Sequence, residues 1–145
     1  MSFSVIGFKD MIHFFFENIE PRLLDSKLNE WLENLINSEG KKPGEINYIL
    51  CDDAYILSVN QQYLAHDYYT DIITFDYVKG NTVSGDIFVS LQRVADNAAA
   101  LGKTFENELC RVLAHGLLHL CGYQDKTADQ EQQMRSKEDY YLNLF

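Results

Sequence analysis

The stretch HGLLHLCGYQDK, residues 115–126, constrains this chain more than any other. On a helix turning about 100° per residue, His115 and His119 point within about 40° of one another, close enough to share a metal ion. Gly122 follows three residues later and can take the left-handed backbone angles that end a helix. The chain can then turn back and present Gln124 or Asp125 to the same point. Two imidazoles and a carboxylate make a catalytic zinc set with a fourth position left for water or substrate, whereas a structural site would normally close that position with cysteine. The competing use of the histidines is as polar residues satisfied within an apolar helix. Leu113, Leu117, Leu118 and Leu120 already supply a core face without them.

A chain of 145 residues, 46% of them hydrophobic, suits one compact domain spanning residues 1–145. The longest apolar runs, such as residues 12–16, are far too short to span a bilayer. The N-terminus lacks the basic start and small-residue cleavage site of a secretory signal, so the expected compartment is the cytosol, with no membrane partner. Cys51, Cys110 and Cys121 form no CxxC pair and are expected as buried, reduced thiols. Cys121, at i+2 from His119, faces elsewhere and is not counted as a ligand. A net charge of −10 disfavours an indiscriminate nucleic-acid binder, so any nucleic-acid site must be local.

The aromatic run at residues 12–18 reads as a first strand, followed by a turn at Glu20 and Pro21. Leu24, Leu28, Trp31, Leu32, Leu35 and Ile36 then recur at helical spacing, with Asp25 or Ser26 as the N-cap and an end near Gly40. Residues 41–44 read as a turn and residues 45–51 as a second strand. Asp52 or Asp53 caps a helix over residues 54–64, and residues 72–77 and 83–90 read as two more strands. Residues 91–101 form a small-residue helix ended by Gly102. Thr104 caps the histidine-bearing helix, with Glu106 and Glu108 favouring its positive start. Residues 129–144 form a charged amphipathic helix carrying Met134, Tyr141 and Leu142.

These residues resemble the YbeY family of bacterial metal-dependent endoribonucleases, also described as ribosomal-RNA maturation factors. The family helix HGxLHLxGYDH is matched by His115, Gly116, Leu118, His119, Leu120, Gly122 and Tyr123. A second signature, LNxxYRxKDxPTDVLSF, is matched by Asn60, Tyr63, Asp67, Thr70, Asp71 and Phe75, with Ile72, Ile73 and Thr74 as close substitutes. The third, GDI before a strand, is Gly85, Asp86 and Ile87. Three positions depart from the pattern: the third metal-binding His falls at Asp125, an Arg at Leu64 and a Lys at His66. The resemblance implies an α/β (α+β) domain whose mixed four-stranded sheet carries helices on both faces, with a zincin-like HxxxH helix. It also implies one zinc ion per chain, held by His115, His119 and Asp125.

Cleaving RNA places extra negative charge on a phosphoryl group, so a site needs a Lewis acid, an activated nucleophile and preferably a fixed cation. Because Asp125 is anionic, the complex carries one positive charge less than with three histidines, and its water is expected to be less acidic. Arg111, one turn before His115 on the same stripe, is the candidate catalytic cation, its alternative being a salt bridge to Glu108 or Asp86. His66 is the second catalytic candidate, for phosphate binding or proton transfer, its alternative being a hydrogen bond to Asp67 or Asp71. Thr70 and Asp71 could orient a ligand histidine through its second ring nitrogen, or be a turn before a strand. Tyr63 and Tyr68, with Tyr69, could stack on bases or sit in the core or its rim.

The function implied by the resemblance is a zinc-dependent, single-strand-specific endoribonuclease. It would act in maturing the small-subunit 3′ end of ribosomal RNA and in ribosome quality control, with a ribosomal subunit or basic ribosomal protein as partner. The alternative is a ribosome-assembly or RNA-binding factor with a mainly structural metal and little turnover. A small metalloprotease is disfavoured because HExxH enzymes place a Glu beside the first His, and here that position is Gly116.

Overall fold

Four stretches of alternating apolar residues, rich in Ile, Val, Phe and Tyr, form the strands β1 (Ile12–Glu17), β2 (Lys42–Cys51), β3 (Ile72–Asp76) and β4 (Thr82–Ser90). The computed structural model describes residues 11–66 and 70–145. The sheet order is β1-β2-β4-β3, with β1, β2 and β4 parallel and β3 antiparallel to β4. Register places Phe16, Leu50, Val89 and Ile72 in one row across the sheet, and their neighbours Phe15, Ile49, Phe88 and Ile73 in the row behind it. Successive residues of a strand face opposite ways, so these two rows mark two surfaces that need cover.

Helices supply that cover on both faces. Ile46, Tyr48, Leu50, Ile87 and Val89 pack with Leu32, Leu35 and Ile36 of α1 (Leu28–Ser38) and with Leu113, Leu117 and Leu118 of α4 (Phe105–Leu120). Helices α3 (Leu91–Leu101) and α5 (Ala128–Leu142) pack against α4. On the opposite face, Ile56 and Val59 of α2 (Asp53–Leu64) cover Cys51 and Ile73. The mixed four-stranded sheet with helices on both faces is therefore as expected. Two buried bonds tie the layers. Tyr48 Oη donates to the Leu113 carbonyl at 2.8 Å, and Trp31 Nε1 donates to the Tyr141 carbonyl at 2.8 Å. No helix among the described residues is long and apolar enough to cross a membrane.

Caps fix where the helices begin. Asp52 accepts from the Tyr55 amide and Thr104 from the Asn107 amide, as the sequence suggests, and Ser90 does the same for α3. Several boundaries differ from expectation by a few residues at most, and three of the differences have a clear physical cause. Helix α1 begins at Leu28 behind Lys27, with no side-chain cap, because Asp25 spends its carboxylate on the Lys27 amide and its carbonyl on the Leu28 amide in a preceding turn. Residues 42–44 are strand instead of turn: the Lys42 amide bonds the Asn81 carbonyl, and a register shift between Pro43 and Ile46 absorbs the proline that a regular ladder would reject. Helix α5 starts one residue early, at Ala128, because Thr127 and Gln130 form a reciprocal capping box.

Candidate metal centre

Helix α4 lies on the sheet where position 116 has no side chain. A Cβ there would meet Ile72 Cδ1 and Ile87 Cγ2, each at 3.0 Å. With that side of the helix pressed to the sheet, His115 and His119 are turned partly outward. The helix closes as the Gly122 amide bonds the His119 carbonyl at 3.0 Å and the Tyr123 amide bonds the Leu118 carbonyl at 3.0 Å. Gly122 itself adopts φ +110°, which side chains other than hydrogen rarely tolerate. The chain then returns along the helix. Asp125 Oδ2 lies 3.3 Å from His115 Nε2 and 3.3 Å from His119 Nε2, while Gln124 is exposed.

The far side of each imidazole is already engaged. His115 Nδ1 lies 2.6 Å from Glu138 Oε2, and His119 Nδ1 lies 2.9 Å from the Tyr123 carbonyl oxygen. A carbonyl and a carboxylate only accept, so each Nδ1 is the donor and the lone pair of each neutral ring is on Nε2. Two Nε2 lone pairs and an anionic oxygen therefore face one another with no donor among them. A cation resolves that repulsion. The spacing fits zinc: donors 2.0–2.1 Å from the ion at a tetrahedral angle stand about 3.3–3.4 Å apart. His115, His119 and Asp125 are the one group of three such ligand residues among the described residues, and no cysteine belongs to it.

Burial and charge set the surroundings. Glu138 and Glu108 are both buried, and Arg111 lies between them. Its Nη1 is 3.1 Å from Glu138 Oε1, and its Nε donates to Glu108 Oε1 at 2.9 Å, with a second bond to Glu108 Oε2. The Glu108 hydrogen bonds raise the Arg111 pKa further above its ordinary value. Burial would push the Glu138 carboxyl up, but His115 and Arg111 outweigh it and hold the group below the ordinary value. Behind His119, Tyr123 Oη donates to Glu39 Oε1 at 2.6 Å; Tyr141 Oη and Lys137 Nζ also bond that carboxylate. Burial pushes Cys51 up to about 12, and Cys110 and Cys121 up to about 11, so all three are ordinary un-ionised thiols.

The remaining expected residues fall in several places. Arg111, expected to face the phosphate, takes the salt bridge to Glu108 that was its alternative; Asp86 instead accepts from Asn47 at 3.0 Å. Arg111 still lines a pocket of about 220 Å³ with His115, Asp125, Glu131, Met134, Arg135 and Glu138. Thr70 Oγ1 donates to the Ile72 carbonyl at 3.3 Å and Asp71 accepts from Asn97 at 3.3 Å, so both secure the entry to β3. They do not orient the ligand histidines, whose second nitrogens belong to Glu138 and Tyr123. Tyr63 is largely exposed and meets Phe75 edge-on, on the sheet face opposite α4. His66 is exposed just beyond α2, its amide bonded to the Asn60 carbonyl at 3.1 Å. Asp67, Tyr68 and Tyr69 lie outside the described residues. Glu138 was missed from the sequence, although a carboxylate between Met134 and Tyr141 on the buried stripe of α5 signals a cationic or imidazole partner.

The chain is similar to known proteins along nearly all of its length. The family model described as "Endoribonuclease YbeY" matches residues 15–145. A Flavobacterium johnsoniae protein named endoribonuclease YbeY is 52% identical over 135 residues, covering 93% of this chain and 97% of the relative. A Bacteroides thetaiotaomicron protein of the same name is 49% identical over 124 residues, covering 86% and 90%. The solution structure of TM1509 from Thermotoga maritima superposes with a TM-score of 0.69 at 34% identity, covering 92% of this chain and 87% of that one.

Proposed function

We propose, from the premise that this chain belongs to the YbeY family, that it is a metal-dependent endoribonuclease that processes ribosomal RNA. The observation that carries the reading is the convergence of His115 Nε2, His119 Nε2 and Asp125 Oδ2, each His–Asp pair at 3.3 Å, beside an open pocket. We assign one zinc ion per chain to these three residues, supplying Lewis acidity at the scissile phosphate. His115 and His119 hold their Nδ1 protons toward Glu138 and Tyr123, so only Nε2 is presented to the ion. Asp125 lowers the net positive charge of the site, which favours phosphate less than three histidines would.

Cations around the pocket must offset a net charge of −10. Arg135, well exposed at the pocket rim, is the side chain best placed to meet an RNA phosphate. The outer edge of Arg111 adds to it while its charge neutralises Glu108 and Glu138. His66 remains the candidate for a phosphate contact or a proton transfer, and Tyr63 for base stacking, from the exposed end of α2. Single-stranded RNA, with bases free to splay, suits so shallow a site. The acidic surface favours a basic ribosomal protein or a ribosomal subunit as the partner that delivers it, in the cytoplasm. Maturation of the small-subunit 3′ end and removal of defective ribosomes are the processes this assigns. Leu64 is partly exposed and uncharged where the family pattern has Arg, which favours slow turnover and keeps the assembly-factor reading in view.

The test is to incubate the zinc-loaded protein with precursor ribosomal RNA, free and within subunits, beside His119→Ala. Slow, salt-sensitive cleavage of free RNA, faster cleavage within subunits and none by His119→Ala are expected. Absence of cleavage by the zinc-loaded wild type in both settings overturns the nuclease reading in favour of an assembly factor.

A further inference from the structure

The line of groups Glu108, Arg111, Glu138 and His115 runs from inside α4 across to α5 and back to the metal site. Both carboxylates are 1% exposed, and each bonds the same guanidinium. Arg111, partly exposed, bonds both buried acids, and the well-exposed Arg135 reaches only Glu138 Oε1, at 4.0 Å, so the charge on Glu138 Oε2 is met by neither guanidinium. The 2.6 Å contact with His115 directs that charge at a ring nitrogen. A carboxylate behind a metal-ligand imidazole fixes its tautomer and ring angle and makes the other nitrogen a stronger donor. His119 has only a neutral carbonyl in the equivalent place.

We propose, resting on the metal-site reading above, that Glu138 is the positioning residue for His115, and that Arg111 serves chiefly to hold Glu138 in place. The two histidines are then unequal ligands. His115 is preorganised by a charged partner from another helix, and His119 by the turn that follows its own. A guanidinium is needed at position 111 because its planar fork reaches both carboxylates at once; an ammonium would satisfy one and leave the other loose. The assignment also explains a buried Glu on α5, the most polar of the five helices among the described residues.

Zinc affinity, read by competition with a chromophoric chelator, tests this without reference to RNA cleavage, so the outcome is independent of whether the protein is a nuclease. Glu138→Gln, nearly isosteric, should fold with an unchanged far-ultraviolet spectrum and bind zinc about 10–100-fold more weakly. Arg111→Lys, which keeps the charge but not the fork, should fall between it and the wild type. Cobalt(II) bound to Glu138→Gln should show an altered visible spectrum, since the His115 ring is no longer held. In a His115→Ala background, Glu138→Gln should have no further effect. Wild-type affinity in Glu138→Gln overturns the proposal, as does an equal loss in the His115→Ala background. If Glu138→Gln does not fold, wild-type zinc affinity in Arg111→Lys overturns it.

Discussion

Gln124 and Asp125 are neighbours, and the sequence alone leaves either able to complete the metal site. The structure places a carboxylate oxygen of Asp125 against both Nε2 atoms and leaves Gln124 exposed. A neutral amide is also a poor zinc ligand. Asp125→Ala is therefore expected to weaken zinc binding more than about 10-fold, as loss of even an outer partner can do, while Gln124→Ala leaves it unchanged. Metal analysis of the purified variants checks the ranking, and the reverse order would move the ligand register by one. At this scale the motif was legible because its three ligands lie within eleven residues, where helix geometry relates spacing to position. Glu138 was not, since it reaches His115 from another helix and no local spacing links the two. The second acid bonded to Arg111 was hidden for the same reason: Glu108 lies within one turn and was named as a partner, whereas Glu138 is 27 residues away.

Helix α4 works as an element because it combines a side that presses on the sheet with one that faces α5. Gly116 lies on the first. A leucine at that position would have to displace Ile72 and Ile87, both already 3.0 Å from where its Cβ would stand. Overpacking of this kind costs about 1–3 kcal/mol, so Gly116→Leu is expected to lower the thermal midpoint of the apo-protein. A calorimetric scan matching wild type would show that the helix can slide. The same contact explains why a zincin-like Glu has no room beside His115, a point that spacing alone could not supply. Most elements were readable from apolar period and caps. The start of β2 was not, because Lys, Pro and Gly in sequence carry the composition of a turn, and only pairing with β4 makes them strand. The strand order likewise depends on pairings distant in sequence, and periodicity does not encode it.

Two carboxylates join elements that are far apart in the chain. Glu39, at the end of α1, is held by Tyr123, Tyr141 and Lys137, and Glu138 joins α5 to α4. Burial opposes ionisation of both, yet their partners prevail and both folded-state values lie below the usual 4.5. A carboxyl depressed on folding contributes stability that is complete above its unfolded value and is lost as pH falls through the folded one. Apo-protein stability should thus hold from neutrality to about pH 5 and fall steeply below about pH 4.5, with Glu39→Gln less stable at pH 7 and less pH-sensitive. Chemical denaturation at stepped pH checks this; parallel curves for variant and wild type would remove Glu39 from the account. The sheet holds a different consequence. Strand β1 is six residues, IHFFFE, with one acid and no proline or glycine; among the described strands it pairs only with β2, and Phe15 is about half exposed. Such a segment is a template for intermolecular pairing whenever it is unpaired, as it is before β2 and β4 have assembled. Refolding yield should consequently be limited by self-association through this strand, making Phe15 a natural place for a solubilising charge.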